Sequence, residues 1–320
     1  MAPHATGGRR RRVRAGVAAM RLSFTGLGTA LITPFTASGA LDEAATRRLA
    51  ERQVDAGVHF VVPCGTTGEA PTLTSDEKRR VVEIVADAVE GRAMVLAGAG
   101  GYNSREVIHD VAQMERAGAH GILSVTPYYN KPTQEGLYQH YKAVASSTKL
   151  PIIVYNVPGR TGCNIEPATL ARLAEIPNIV GVKEASGNMS QMVEICRLVP
   201  SEFLVLSGDD ALGLPLMAIG GKGLISVASN EVPSEMAQMI ESAERGDFAT
   251  ARRWHHALVP LMQVNFIEAN PIPVKFAMAA MGLCEEVYRL PMVAPSAASK
   301  ARILGVLKEF GLPVVAAAGA

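Results

Sequence analysis

Pro151-Ile-Ile-Val-Tyr155-Asn-Val-Pro-Gly-Arg160-Thr-Gly162 and, one strand-helix unit later, Asn178-Ile-Val-Gly181-Val-Lys183-Glu-Ala185 decide how this chain folds. In each, a short unbroken apolar run ends in chemistry: a phenol and a guanidinium after the first, an amine at the end of the second. Runs that are apolar throughout, rather than alternating, belong to strands buried on both faces, as in a parallel sheet covered by helices. A lysine closing such a strand needs a reason. Taking an ammonium out of water without a partner is costly, and the usual escape is a pKa lowered towards neutrality, which leaves an amine able to attack a carbonyl and form a Schiff base. The structural alternative is an ion pair between Lys183 and Glu184 or a loop carboxylate.

Outward from these two runs the same pattern repeats. Strand candidates fall at 28–33, 58–63, 93–97, 121–125, 152–156, 179–183, 203–207 and 223–228, separated by amphipathic helical stretches such as 42–56, 75–90, 104–117 and 134–147. Asp, Ser and Thr stand at plausible N-caps, and glycines close several of the helices. Eight strand-helix units of this size predict a closed (β/α)8 TIM barrel, of class α/β, more naturally than an open doubly wound sheet. After Glu231 the alternation stops. Helical patterns at 248–268, 274–281 and 298–310 predict a C-terminal helical domain, so the division expected is a leader over 1–21, a barrel over 22–245 and helices over 246–320.

The chain has 320 residues, 48% of them hydrophobic and 19% charged, with a net charge of +1, which gives no support for nucleic-acid binding. No apolar run reaches the length of a membrane span, so a soluble cytoplasmic protein is the expectation. Cys64, Cys163, Cys196 and Cys284 form no CxxC pair, and the adjacent His255 and His256 point to different faces of a helix, so neither a disulfide nor a metal is expected. Cys64 ends an apolar run and lines a pocket or is simply an inert buried thiol. Gly98-Ala-Gly-Gly101 lacks the spacing of a dinucleotide-binding loop, and no cofactor is expected. The first 41 residues contain no acid and carry Arg9 to Arg12, Arg14 and Arg21. They fit an over-extended start ahead of Met20, a solvated tail or a targeting segment, and stand outside the fold argument.

In a barrel of this kind the strand C-termini share one mouth. Gly65-Thr66-Thr67-Gly68-Glu69 would bring hydroxyls and backbone N–H groups suited to a carboxylate, or would be a plain turn. Thr126-Pro-Tyr128-Tyr129-Asn-Lys-Pro132 brings two tyrosines, for packing at an interface or for proton transfer. Tyr155 could relay protons beside an amine, and the planar fork of Arg160 suits a second carboxylate. Asp209 and Asp210 read as caps of the next helix. Together these groups describe a site for a 2-oxo acid.

The wording and order of GTTGEAPTL (65–73), TPYYNKP (126–132), YNVPGRTG (155–162), GVKEASG (181–187), SGDD (207–210) and NPIPVK (270–275) resemble the 4-hydroxy-tetrahydrodipicolinate synthase family of pyruvate-dependent class I aldolases. The resemblance runs from about Leu22 to the last helices. It implies a barrel with a C-terminal helical domain, a homotetramer built as a dimer of dimers, and condensation of pyruvate with L-aspartate 4-semialdehyde in the diaminopimelate branch of lysine biosynthesis. By the same resemblance Lys183 forms the imine, Tyr155 moves protons, and Thr66 links Tyr155 to a Tyr129 reaching in from the neighbouring subunit. Thr67 would hold the pyruvate carboxylate, Arg160 the semialdehyde carboxylate, and backbone groups at Gly208 and Ile225 would line the pocket. N-acetylneuraminate lyases and keto-deoxy-sugar-acid aldolases share the lysine and the first tyrosine, but Arg160 and the paired threonines favour a small acidic aldehyde. Where feedback-sensitive relatives bind lysine, the chain keeps Glu106 and Tyr128 but has Lys78, Tyr102 and Ala70 in place of a histidine, an amide and a serine. A cation at Lys78 beside a cationic effector implies weak or absent lysine inhibition.

Overall fold

A computed structural model describes residues 24–315, so the arginine-rich leader expected over 1–21 lies outside the described residues. The chain runs β1 (Gly26–Ala30), α1 (Glu43–Asp55), β2 (Phe60–Val62), α2 (Ser75–Val89), β3 (Met94–Gly98), α3 (Ser104–Arg116), β4 (Gly121–Val125) and α4 (Gln134–Ser146). It continues through β5 (Ile152–Asn156), α5 (Pro158–Thr161), α6 (Pro167–Leu173), β6 (Ile179–Glu184), α7 (Met189–Leu198), β7 (Leu204–Ser207), α8 (Asp210–Ala218) and β8 (Gly223–Ser226). The helices α9 (Pro233–Glu244), α10 (Phe248–Val264), α11 (Ile272–Ala280) and α12 (Ala297–Glu309) complete it. All eight strands are parallel and close in sequence order, β8 pairing with β1, into the expected barrel.

Two apolar layers hold it. Inside the barrel, Phe60, Leu96, Leu123, Ile153, Leu206 and Ile225 interlock, and Phe24 packs edge-on to Phe60 at 5.6 Å. Outside, Val61, Val95, Ile122, Val154 and Val182 pack against helix residues such as Val81, Val85, Leu137 and Ile195. This two-sided burial is what the uninterrupted apolar runs encode. Gly28 and Gly98 leave room for close approach: a Cβ at Gly28 would lie 2.1 Å from the Phe60 ring, and one at Gly98 would lie 2.0 Å from the Cys64 carbonyl. The glycine-rich stretch that begins at the last residue of β3 thus serves packing at its first position.

Strand β6 departs from strict alternation. Ile152 pairs with Ile179 but Ile153 pairs with Gly181, so Val180 is an extra residue in the ladder. Ile179 packs outward and Val180 inward, after which Val182 again faces the helices. The bulge resets the period of two, and Lys183 faces into the barrel as a result.

The C-terminal helices share a core with the barrel wall. Leu27 of β1 and Leu224 of β8 pack with Met236 and Ile240 of α9, Leu258 and Leu261 of α10, Ala277 of α11 and Ile303 of α12. The division expected at residue 245 falls between α9 and α10, where Gly246 takes a left-handed φ of +79°. No helix among the described residues is long and apolar enough to cross a membrane.

Candidate active site

Tyr155 and Lys183 are register partners on β5 and β6, so their side chains leave the sheet on the same face. Both enter the barrel mouth, with the Lys183 Nζ 4.4 Å from the centre of the Tyr155 ring. Lys183 is only 5% exposed and, among the described residues, has no carboxylate within ion-pair distance. Glu184 is not its partner. One residue further along the strand it faces outward, where its Oε2 accepts from Asn156 Nδ2 at 2.9 Å and its Oε1 from the Ser186 N–H at 2.7 Å. The structural alternative offered by the sequence, a Lys183–Glu184 pair, is excluded by the pleat of the strand.

Space for the lysine comes from the next strand. A Cβ at Gly208 would stand 2.9 Å from Lys183 Cε and 2.7 Å from Ala185 Cβ. The loop after β2 forms the opposite wall. Its turn uses the N–H groups of Gly68, Glu69 and Ala70 internally, whereas those of Thr66 and Thr67 have no acceptor among the described residues. Thr66 and the buried Thr67 line a cavity of about 110 Å³ together with Tyr155, Lys183 and Gly208. Arg160, on the short helix α5 after β5, stands at its rim and donates from Nη2 to the Asn270 carbonyl at 3.1 Å. Such an arrangement can seat a small 2-oxo acid with its carboxylate on the threonine donors and its ketone beside the amine.

A second cavity of about 270 Å³ adjoins the first, and Thr66, Tyr155, Val157 and Arg160 line both. Its far wall holds Cys64, Ala70, Lys78 and Tyr128. The Cys64 thiol is pushed up to about 12 by burial, as expected of an inert cysteine even though it lines a pocket. Lys78 pairs with Asp110 at 3.4 Å. Tyr128 packs edge-on to Tyr102 with ring centres 5.2 Å apart, and burial, then Tyr102 and Glu106, raise its phenol. Glu106 itself accepts from Asn103 Nδ2 at 3.0 Å.

The structure thus brings Lys183, Tyr155, Thr66, Thr67, Arg160 and Gly208 to one cavity. Tyr129 stands apart, 89% exposed on a left-handed backbone with φ 71°. Ile225 is fully buried in the interior layer, and Val227, two residues on, is the β8-side residue that lines the cavity. The reading of both aspartates as caps holds only for Asp209, which accepts from the Ala211 N–H at 2.9 Å. Asp210 is instead buried, and its Oδ2 accepts from the Val227 and Ala228 N–H groups at 3.1 Å each, holding the turn after β8. Two side chains of the NPIPVK segment reach the site region without having drawn a role from sequence. Asn270 lines the Lys183 cavity, and Lys275 forms a buried ion pair with Glu69 at the base of the threonine loop. The only signal for them was the wording of the motif. Among the described residues no group of three or more His, Cys, Asp or Glu is disposed to hold a metal ion.

Residues 23–309 match the dihydrodipicolinate synthetase family. The 4-hydroxy-tetrahydrodipicolinate synthase of Nitratidesulfovibrio vulgaris is 51% identical over 292 residues, covering 91% of this chain and all of that protein. The enzyme of the same name from Chloroherpeton thalassium is 50% identical over 293 residues, covering 91% and 97% of the two chains. The crystal structure of dihydrodipicolinate synthase from Aquifex aeolicus superposes with a TM-score of 0.90 at 46% identity, over 92% of this chain and all of that one.

Proposed function

The chain belongs to the dihydrodipicolinate synthetase family, and from that premise we propose that it condenses pyruvate with L-aspartate 4-semialdehyde through a Schiff base on Lys183. This is the reaction of a 4-hydroxy-tetrahydrodipicolinate synthase, in the diaminopimelate route to L-lysine. The observation that carries it is the buried, carboxylate-free amine of Lys183, set 4.4 Å from the Tyr155 ring and opposite the Thr66 and Thr67 donors.

The neutral amine adds to the ketone carbon of pyruvate, and Tyr155 delivers and removes the protons as the carbinolamine loses water. In the imine the protonated nitrogen draws electrons from the methyl carbon, which releases a proton to give an enamine, and that carbon attacks the aldehyde. Thr67 and its N–H hold the pyruvate carboxylate, while Arg160 at the rim takes the carboxylate of the semialdehyde. Gly208 and, on the β8 side, Val227 complete the wall.

Tyr129 belongs to the same reading. Its exposed ring beside the Tyr102–Tyr128 pair suits insertion into a neighbouring copy, where Thr66 would couple it to Tyr155 in a proton relay. A cytoplasmic homotetramer arranged as a dimer of dimers would supply that neighbour. Tyr128 in the second cavity and Glu106, near enough to raise its phenol, remain as the elements of a regulatory site, with Lys78 set against a cationic effector.

Borohydride reduction with pyruvate, followed by peptide mass mapping, tests the chemistry. The reduced pyruvyl adduct is expected on the peptide containing Lys183; an unmodified peptide from folded protein would refute the assignment.

A further inference from the structure

Asn270 sits between the two anion-binding groups of the site. It is 6% exposed; its Nδ2 donates to Thr67 Oγ1 at 3.0 Å, and its backbone carbonyl accepts from Arg160 Nη2 at 3.1 Å. Its Oδ1 is buried and has no hydrogen-bond partner among the described residues. An orphaned buried acceptor is destabilising, and a carbon side chain in its place would remove that penalty. Among the described residues the only hydrogen bond of the side chain is the one to Thr67, so that contact is where the compensation for the amide lies.

The consequence follows from the valence of the hydroxyl. A threonine oxygen has one proton to give and two lone pairs. With one lone pair occupied by Asn270 Nδ2, the proton cannot also point there, and it is left for a ligand in the cavity alongside the unpaired Thr67 N–H. Without that donor the hydroxyl rotates freely and can present lone pairs to an anion.

We propose that Asn270 is a positioning residue for the 2-oxo acid, fixing the Thr67 hydroxyl proton towards the substrate carboxylate while its backbone carbonyl aims Arg160. The inference rests on the pyruvate chemistry proposed above. It makes the spacing between the two carboxylate subsites a property of one residue supplied by the segment before α11.

Steady-state kinetics of four variants tests it, with folding checked by thermal unfolding. Asn270→Ala keeps the backbone carbonyl and loses the side-chain donor, so KM for pyruvate is expected to rise roughly tenfold while KM for the semialdehyde stays within about twofold. Asn270→Asp has the same shape but only accepts; it would draw the Thr67 proton to itself and place a negative charge near the carboxylate, raising KM for pyruvate further, on the order of a hundredfold. In a Thr67→Val background, Asn270→Ala is expected to add less than about twofold. Equal rises in both KM values, or an Asn270→Ala effect undiminished by Thr67→Val, would overturn the role; should Asn270→Asp not fold, the cycle of the other three decides. Borohydride trapping at saturating pyruvate separates the two proposals. Wild-type protein that fails to trap would sink the Schiff-base reading and this one with it, whereas trapping retained in Asn270→Ala with unsplit KM values would sink only the role of Asn270.

Discussion

Replacing Lys275 by methionine probes how the C-terminal helices hold the threonine loop. Lys275 on α11 and Glu69 at the end of that loop form an ion pair whose side chains are 0% and 1% exposed. The Lys275 ammonium also lies 4.0 Å from the centre of the Phe35 ring, and burial lowers its pKa against the opposing pull of Glu69. Methionine keeps the unbranched stem but leaves the Glu69 carboxylate with the Arg289 N–H, at 3.4 Å, as its remaining donor. Removing one partner of a buried pair costs about 3–5 kcal/mol, because the other charge stays behind without compensation. Against a typical total stability of roughly 5–15 kcal/mol, that is about a fifth of the margin or more. At about 2–4 °C per kcal/mol for a large domain, the melting temperature should fall by roughly 6–20 °C. The double variant Glu69→Gln/Lys275→Met removes both charges and is expected to recover most of the loss. Glu69 follows Thr67 by two residues, so the single variant should also raise KM for pyruvate. Urea unfolding followed by circular dichroism measures the stabilities. A single variant within about 1 kcal/mol of wild type, or a double variant no more stable than the single, would refute the reasoning.

Arg160→Ala is expected to raise KM for the semialdehyde by roughly 10- to 100-fold, the loss of a charge-assisted contact, and to change KM for pyruvate less than about threefold; equal effects would exclude its role. Glu231 is buried and its carboxyl is pushed up from 4.5 to about 8 by burial, so the folded chain holds a proton that the unfolded chain releases. That contribution is complete below the unfolded value and is lost as the pH rises through the folded one. Glu231→Gln, which mimics the protonated acid, should therefore gain on wild type by on the order of 1 kcal/mol per pH unit between about pH 5 and pH 8, and a difference in unfolding free energy that does not change with pH would count against it. With Lys78 already paired to Asp110 in the wall that also holds Tyr128, L-lysine below about 1 mM should leave initial rates unchanged, and half-inhibition in that range would reverse the expectation.

Two strands were legible to the residue: β4 and β5 occupy the expected spans 121–125 and 152–156. The runs at 28–33 and 223–228 overran the strand ends at Ala30 and Ser226, the first also starting two residues after Gly26, and in both overruns a distant side chain takes backbone N–H groups. Ile32 donates to Asn230 Oδ1 at 3.2 Å, and Asp210 Oδ2 receives Val227 and Ala228. No local window contains those partners. The site divides in the same way. Lys183, Tyr155, Arg160 and the threonines stand at strand ends, where barrel geometry alone brings them together. Asn270 meets Thr67 across 203 positions and Lys275 meets Glu69 across 206, so neither role could be derived before the fold was closed.

The direction of Lys183 is the sharpest case, because simple alternation gives the wrong answer. Ile179 faces the outer helices, and a period of two counted from it would send residues 181 and 183 outward as well. A lysine there would emerge among Val182's apolar neighbours outside the barrel, and Glu184 would enter the mouth in its place. The additional residue at Val180 shifts the count by one, so Lys183 is the register partner of Tyr155 and Glu184 that of Asn156. One irregularity in a strand of six residues therefore assigns the amine to the cavity and the acid to the Asn156, Gln191 and Ser186 network behind the sheet. The amine is kept apart from its neighbouring carboxylate by the backbone itself, and reaction with a ketone requires that separation: an ammonium paired to Glu184 would have no lone pair to give.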